Sequence, residues 1–211
     1  MKRCVIVGAG EIYSEIDVRE GDVVIAADGG YKYLCDADLK PDVLIGDFDS
    51  LGTVPEHPNL IKLPCEKDDT DMGFALNYAL GLGYTRFLLL GGLGGRLDHT
   101  MANLQLLNAL SKRGAVGILA GDGQAATIIT NGSFSFSPSC SGYCSVYCVS
   151  GCAHGVTLEG LKYPLEDASL SGDYPLGTSN EFLGTPAKVT VCNGSLLLIW
   201  QTSDPLSHLP E

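Results

Sequence analysis

The chain has 211 residues, with 25 acidic and 13 basic side chains, 27 glycines and 8 cysteines. Its length allows a real core in one large domain or two small ones, and 45% apolar against 18% charged residues argues against intrinsic disorder. The net charge of −12 argues against a nucleic-acid partner, whose binding rests on cationic contacts to phosphate, and no run of about 18 apolar residues offers a membrane span.

The stretch Met1-Lys2-Arg3-Cys4-Val5-Ile6-Val7-Gly8 is broken by glycine too early for a signal peptide and reads as a first β-strand. Further apolar runs follow at Val23–Ala27, Val43–Ile45, Phe87–Leu90 and Val116–Ala120, the pattern of buried strands. Between them, Asp69 or Thr70 is expected to cap a helix with Met72, Ala75, Leu76, Ala79 and Leu80 on its apolar face, stopped by Gly81 and Gly83. Asp98 is expected to cap a second helix through Met101, Leu104, Leu107 and Leu110, ending at Lys112-Arg113-Gly114. Alternating strands and helices predict an α/β domain with a mostly parallel sheet over residues 1–122.

After Gly121-Asp122-Gly123 helical patterns cease. Residues 126–136 read as a tight hairpin about Asn131-Gly132, and residues 188–200 as another about Asn193-Gly194, because Asn-Gly suits a type I′ turn. Residues 123–211 are therefore expected to form an all-β sandwich or barrel. Cys140, Cys144, Cys148 and Cys152 recur every four residues without the close pairs that metal sites prefer, and read as small buried side chains of a reducing cytoplasm.

Four glycine- or aspartate-rich segments end predicted strands, where open α/β sheets bind ligands. Asp28-Gly29-Gly30 is the first. The second, Gly46-Asp47-Phe48-Asp49-Ser50, offers two carboxylates two apart at a strand end, where strand alternation puts both side chains on the same side of the chain. The third, Glu66-Lys67-Asp68-Asp69-Thr70-Asp71, adds another, and hard oxygens of this kind suit Mg²⁺ shared with substrate phosphates. The competing reading, caps and turns, accounts for Asp69 but poorly for both Asp47 and Asp49. The fourth, Gly91-Gly92-Leu93-Gly94-Gly95-Arg96-Leu97-Asp98-His99, lies between strand and helix, where backbone N–H groups approach phosphate and Arg96 adds a planar fork of donors. P-loop, G-x-S-x-G and H-E-x-x-H motifs are absent, and Gly8-Ala9-Gly10 with Tyr13 in sixth position matches a dinucleotide fingerprint too weakly to claim one. What remains is a phosphate-transfer site of carboxylates, metal and glycine loops.

These blocks, with Ala27, Pro41–Ile45, Gly160–Leu165 and Gly177–Phe182, resemble the thiamine pyrophosphokinase family over nearly the whole chain. The resemblance implies attack of the thiamine hydroxyl on the β-phosphorus of Mg·ATP, giving thiamine diphosphate and AMP. It also implies a cytoplasmic homodimer, with each thiamine site between the α/β domain of one chain and the β domain of the other. By residue, Asp47, Asp49 and Asp71 match the magnesium and catalytic aspartates, and Arg96 the phosphate-contacting arginine. Asp28, Gly29, Gly30, Thr70, Gly91, Gly92, Gly94, Gly95, Asp98 and His99 fall in its ATP-binding segments; Asp98, Thr178, Ser179 and Asn180 fall where thiamine is held. Trp200 or a tyrosine is expected to support the thiamine ring. Rival readings are a non-catalytic thiamine or nucleotide sensor, and a pyrophosphokinase for another hydroxylated substrate. Residues 36–71 hold ten acids against three bases, so much of the excess charge lies in the segment assigned to magnesium.

Overall fold

A computed structural model describes residues 3–12, 15–49, 52–66 and 68–205; Ser50 and Lys67 of the motifs lie outside the described residues. Within it the chain forms two compact units, one of residues 3–106 and 119–122, the other of residues 107–118 and 123–205. The sequence places a boundary at 121–123; the contacts of the fold group residues 107–118 with the second unit.

In the first unit, strands β1 (Cys4–Val7), β2 (Val23–Ala27), β3 (Val43–Gly46), β4 (Leu60–Lys62) and β5 (Arg86–Leu90) pair in parallel in the order β4-β3-β2-β1-β5. The apolar runs of β1, β2, β3 and β5 are buried nearly throughout, as expected of strands covered on both faces. Helices α1 (Gly30–Asp36), α2 (Asp71–Gly81) and α3 (Leu97–Lys112) follow β2, β4 and β5. The expected α/β architecture is observed, with α1 and the short β4 added to the elements read from sequence. Gly30 is demanded by packing, because a Cβ there would overlap the Val7 carbonyl oxygen.

The local signals hold with adjustments. Thr70 is the N-cap of α2, its Oγ1 accepting from the Gly73 N–H at 3.1 Å, while Asp69 Oδ1 accepts from the Thr70 N–H. Gly81 lies inside α2; the chain leaves it at Gly83, whose φ is +86°, and the Tyr84 N–H returns to the Ala79 carbonyl. α3 begins at Leu97, so Asp98 sits in its first turn rather than ahead of it. Met101, expected on the buried face, is 52% exposed, whereas Leu107 and Leu110 are buried.

β6 (Val116–Gly121) leads to the second unit's strands: β7 (Gln124–Thr130), β8 (Ser133–Phe136), β9 (Tyr143–Cys148), β10 (Cys152–Glu159), β11 (Leu165–Ser171), β12 (Gly177–Glu181), β13 (Ala187–Thr190) and β14 (Ser195–Gln201). They pair antiparallel as β12-β9-β14-β7 and β11-β10-β13-β8. Phe134 and Phe136 of β8 contact Trp200 of β14 at ring-centroid distances of 5.7 and 5.4 Å, joining the sheets as a sandwich. Trp200, offered by the sequence as a ring for thiamine, is 1% exposed and belongs to this core.

The two expected hairpins do not form. β7 pairs with β14 and β8 with β13, so each Asn-Gly carries the chain from one sheet to the other. Asn131 has φ +49° and Gly194 φ +116°; Gly132 and Asn193 are not left-handed, so neither turn is type I′. The corners bind each other: the Asn131 N–H donates to the Gly194 carbonyl at 3.1 Å, and the Gly194 N–H to Asn131 Oδ1 at 2.9 Å. The regular cysteine spacing is split as well, Cys140, Cys144 and Cys148 being buried and Cys152 exposed. None of the eight cysteines is in a disulfide.

Candidate active site

The strand order places the first unit's cleft. From β1 the chain moves one way to β2, β3 and β4, then returns to set β5 on β1's other side. At such a switch point the loops leaving neighbouring strands diverge and open a crevice at the strands' carboxyl ends. A cleft of about 440 Å³ lies there. Gly8, Ala9, Gly10 and Glu11 line it after β1, Ala27 and Asp28 after β2, Thr70, Asp71 and Met72 at the start of α2, and Gly91, Gly92, Gly94, Gly95 and Arg96 after β5, with His99 and Asn103 from α3. The β1 and β5 loops are tied by backbone bonds, Gly8 N–H to Leu90 O at 2.8 Å and Gly10 N–H to Gly91 O at 3.0 Å.

Nine of the residues singled out from sequence therefore meet on one cleft: Asp28, Thr70, Asp71, Gly91, Gly92, Gly94, Gly95, Arg96 and His99. Gly29 and Gly30 are not among its lining; Gly29 precedes α1 and Gly30 is buried in its first turn. Arg96 is exposed and forms a two-toothed pair with Asp98, Nε to Oδ1 at 3.1 Å and Nη2 to Oδ2 at 2.6 Å. This pairing, above all the hydrogen bond, holds the Asp98 carboxyl below its ordinary range and raises the Arg96 guanidinium further. Asp98 is thus placed to aim Arg96, and the cleft lining includes Arg96 but not Asp98.

Asp47 and Asp49 share a side of the chain for a reason other than strand alternation. β3 ends at Gly46, and between the two acids Phe48 takes a left-handed φ of +62° with its ring 2% exposed. So bulky a side chain rarely adopts that conformation, and burial of the ring anchors it. Asp47 Oδ1 accepts from the Asp49 N–H at 3.2 Å, and ligand atoms of Asp47, Asp49 and Cys65 lie within 4.8 Å of one another. Cys65 Sγ is 3.0 Å from Asp49 Oδ2. This grouping does not include Asp71, which lies on the cleft instead. The two carboxylates offer the hard oxygen donors that fit Mg²⁺.

In the second unit, Thr178 and Ser179 are exposed on β12, with Ser179 left-handed at φ +58° and its N–H on Ser145 Oγ at 3.0 Å. Asn180 is buried. Its amide fastens a neighbouring segment, Oδ1 accepting from the Tyr163 and Glu181 N–H groups and Nδ2 donating to the Tyr163 carbonyl at 2.8 Å.

Gly8–Glu11, Met72, Asn103 and Cys65 are not among the site residues expected from sequence. The first had a visible signal, the small residues Gly8-Ala9-Gly10 directly after a strand, although they match a dinucleotide fingerprint only weakly. Asn103 had one too, a polar residue three and four positions from Thr100 and Leu107 on the inward stripe of α3. Cys65 had none.

Comparison with known proteins places two family models on the chain: "Thiamin pyrophosphokinase, catalytic domain" over residues 18–118, and "Thiamin pyrophosphokinase, vitamin B1 binding domain" over residues 133–196. The thiamine pyrophosphokinase of Bacillus subtilis (strain 168) is 30% identical over 185 residues, 84% of this chain and 86% of that protein. A crystal structure of thiamine pyrophosphokinase from Bacillus subtilis superposes with a TM-score of 0.84 at 27% identity, covering 96% of this chain and 99% of the other. The thiamin pyrophosphokinase of Geobacillus thermodenitrificans gives 0.79 at 28% identity, with 98% and 100% covered.

Proposed function

The chain belongs to the thiamin pyrophosphokinase family, and on that premise we propose how its own residues carry out the transfer of a pyrophosphoryl group from ATP to the thiamine hydroxyl. The observation that carries the assignment is the convergence of a glycine loop, Arg96, Asp28 and Asp71 on one cleft at the sheet's switch point. ATP binds there, its phosphates on the backbone N–H groups of the 91–95 loop and on Arg96, with Thr70 and His99 at the walls. Asp47, Asp49 and Asp71 would hold Mg²⁺, which would supply countercharge to the phosphates. Transfer of this kind depends on positioning and charge neutralisation more than on covalent catalysis. Asp71 accepts the proton of the attacking hydroxyl, and AMP leaves.

Residues 1–122 serve as the catalytic part and residues 123–211 as the thiamine-binding and dimerising part of a cytoplasmic homodimer. Thr178 and Ser179, exposed on an edge strand, contact thiamine at the interface with a second copy of the chain, whose Asp98 faces the same substrate; Asn180 shapes the site through the Tyr163 segment. A sensor that has lost catalysis is disfavoured because Asp47, Asp49, Asp71 and Arg96 are all present. A pyrophosphokinase for another hydroxylated substrate is disfavoured by the match to the vitamin B1 binding domain.

Purified protein with ATP, Mg²⁺ and thiamine should yield AMP and thiamine diphosphate, resolved by chromatography. ADP with thiamine monophosphate would overturn the reaction type, and thiamine binding without turnover would favour the sensor.

A further inference from the structure

Asn103 is a buried polar residue on the second turn of α3, 5% exposed, at the wall of the cleft. Its Nδ2 donates to the Gly92 carbonyl at 2.8 Å. One turn earlier on the same helix face, Thr100 Oγ1 donates to the Gly94 carbonyl at 3.3 Å, while the Thr100 N–H takes the Arg96 carbonyl at 3.1 Å. Three alternate carbonyls of the 92–96 loop are thus drawn onto α3. In a trans peptide the N–H that follows a carbonyl points the opposite way. Fixing the oxygens of Gly92 and Gly94 on the helix therefore turns the Leu93 and Gly95 N–H groups off it, and neither donates to another backbone carbonyl among the described residues. The fit is close: a Cβ at Gly92 would lie 2.6 Å from Asn103 Nδ2 and 3.0 Å from Leu119 Cδ1.

We propose that Asn103, with Thr100, is a positioning residue that sets the polarity of the glycine loop, so that its N–H groups are presented to the nucleotide's phosphates. This rests on the ATP-binding role of the loop given above. An amide is required at 103 because it can give a proton to a carbonyl from a buried position without introducing charge. A carboxylate there would face the Gly92 oxygen with no donor, and the cheapest relief is a flip of the 92–93 peptide that reverses the N–H.

The test compares Asn103→Asp, Thr100→Val and Thr100→Ser, measuring KM for ATP, KM for thiamine, kcat, and the Kd of a non-hydrolysable ATP analogue by calorimetry. Asn103→Asp should raise the analogue Kd and the ATP KM about tenfold or more, with thiamine KM within twofold. Thr100→Val should raise them several-fold and Thr100→Ser restore them, a rescue that loss of packing alone does not give. If Asn103→Asp does not fold, the Thr100 pair carries the test. Unchanged nucleotide affinity in the folded variants, or equal losses in Thr100→Val and Thr100→Ser, overturns the inference. Failure of the wild-type protein to bind the analogue would instead overturn the ATP-binding reading beneath it.

Discussion

Arg96 and Asp98 lie in the open, so their pairing adds little to stability and its value must be sought in ligand binding. Replacing Arg96 by lysine removes the fork that both Asp98 and a phosphate can engage. The ATP kcat/KM of Arg96→Lys should fall by about 10- to 100-fold while Tm moves by no more than about a degree. Because Asp98 is held below the ordinary carboxylate range, its pairing is intact above that range and is lost only as pH falls through the depressed value. NMR titration of the carboxyl should show its midpoint rise in Arg96→Ala toward about 3.9. Burial acts oppositely on Cys4 and Cys144, pushing both thiols up to about 12, with acidic neighbours adding to the effect at Cys4 and Cys140 at Cys144. Folding therefore gains nothing from them below the unfolded thiol range. Stability is lost as pH rises from about 9 toward 12, where the unfolded chain ionises first. Denaturant melts of Cys144→Ala should show a shallower alkaline decline than the wild type.

The elements that were legible in the sequence are those specified by their own residues. β1, β2, β3 and β5 announce themselves as apolar runs, and α2 by Thr70 and the Met72–Ala79 stripe. Thr70→Ala should cost about 1 kcal/mol of stability by chemical denaturation, through loss of the Gly73 N–H acceptor. The glycine loop, Asp28 and Asp71, which share the cleft, were legible because each stands in a local motif. What could not be read was set from a distance. The hairpins failed because β7 and β8 each find a better partner far along the chain, at Ser195 for Thr130, 65 residues away, and at Ala187 for Phe136, 51 residues away. The carboxylate pair was found for the wrong reason, since burial of the Phe48 ring, not strand alternation, turns the backbone between Asp47 and Asp49.

For the molecule as a whole, an excess of twelve negative charges destabilises the compact state by self-repulsion, and the 36–71 segment concentrates it. Bound cations should therefore stabilise beyond simple screening. Millimolar Mg²⁺ should raise Tm by more than NaCl of equal ionic strength, and Asp47→Asn should abolish the difference, measured by calorimetry. The second unit carries another whole-chain property. Residues 124–136 and 187–201 form one antiparallel ribbon folded over at the two Asn-Gly corners, its halves serving separate sheets. β13 and β14, which follow the other strands among the described residues, hold interior places, between β10 and β8 and between β9 and β7. A ribosome that has delivered residues 123–186 has thus produced strands without the members that sit between them. The sandwich therefore cannot close until residues 187–201 have been made, and a nascent chain stalled before Ala187 exposes the unpaired edges that chaperones recognise.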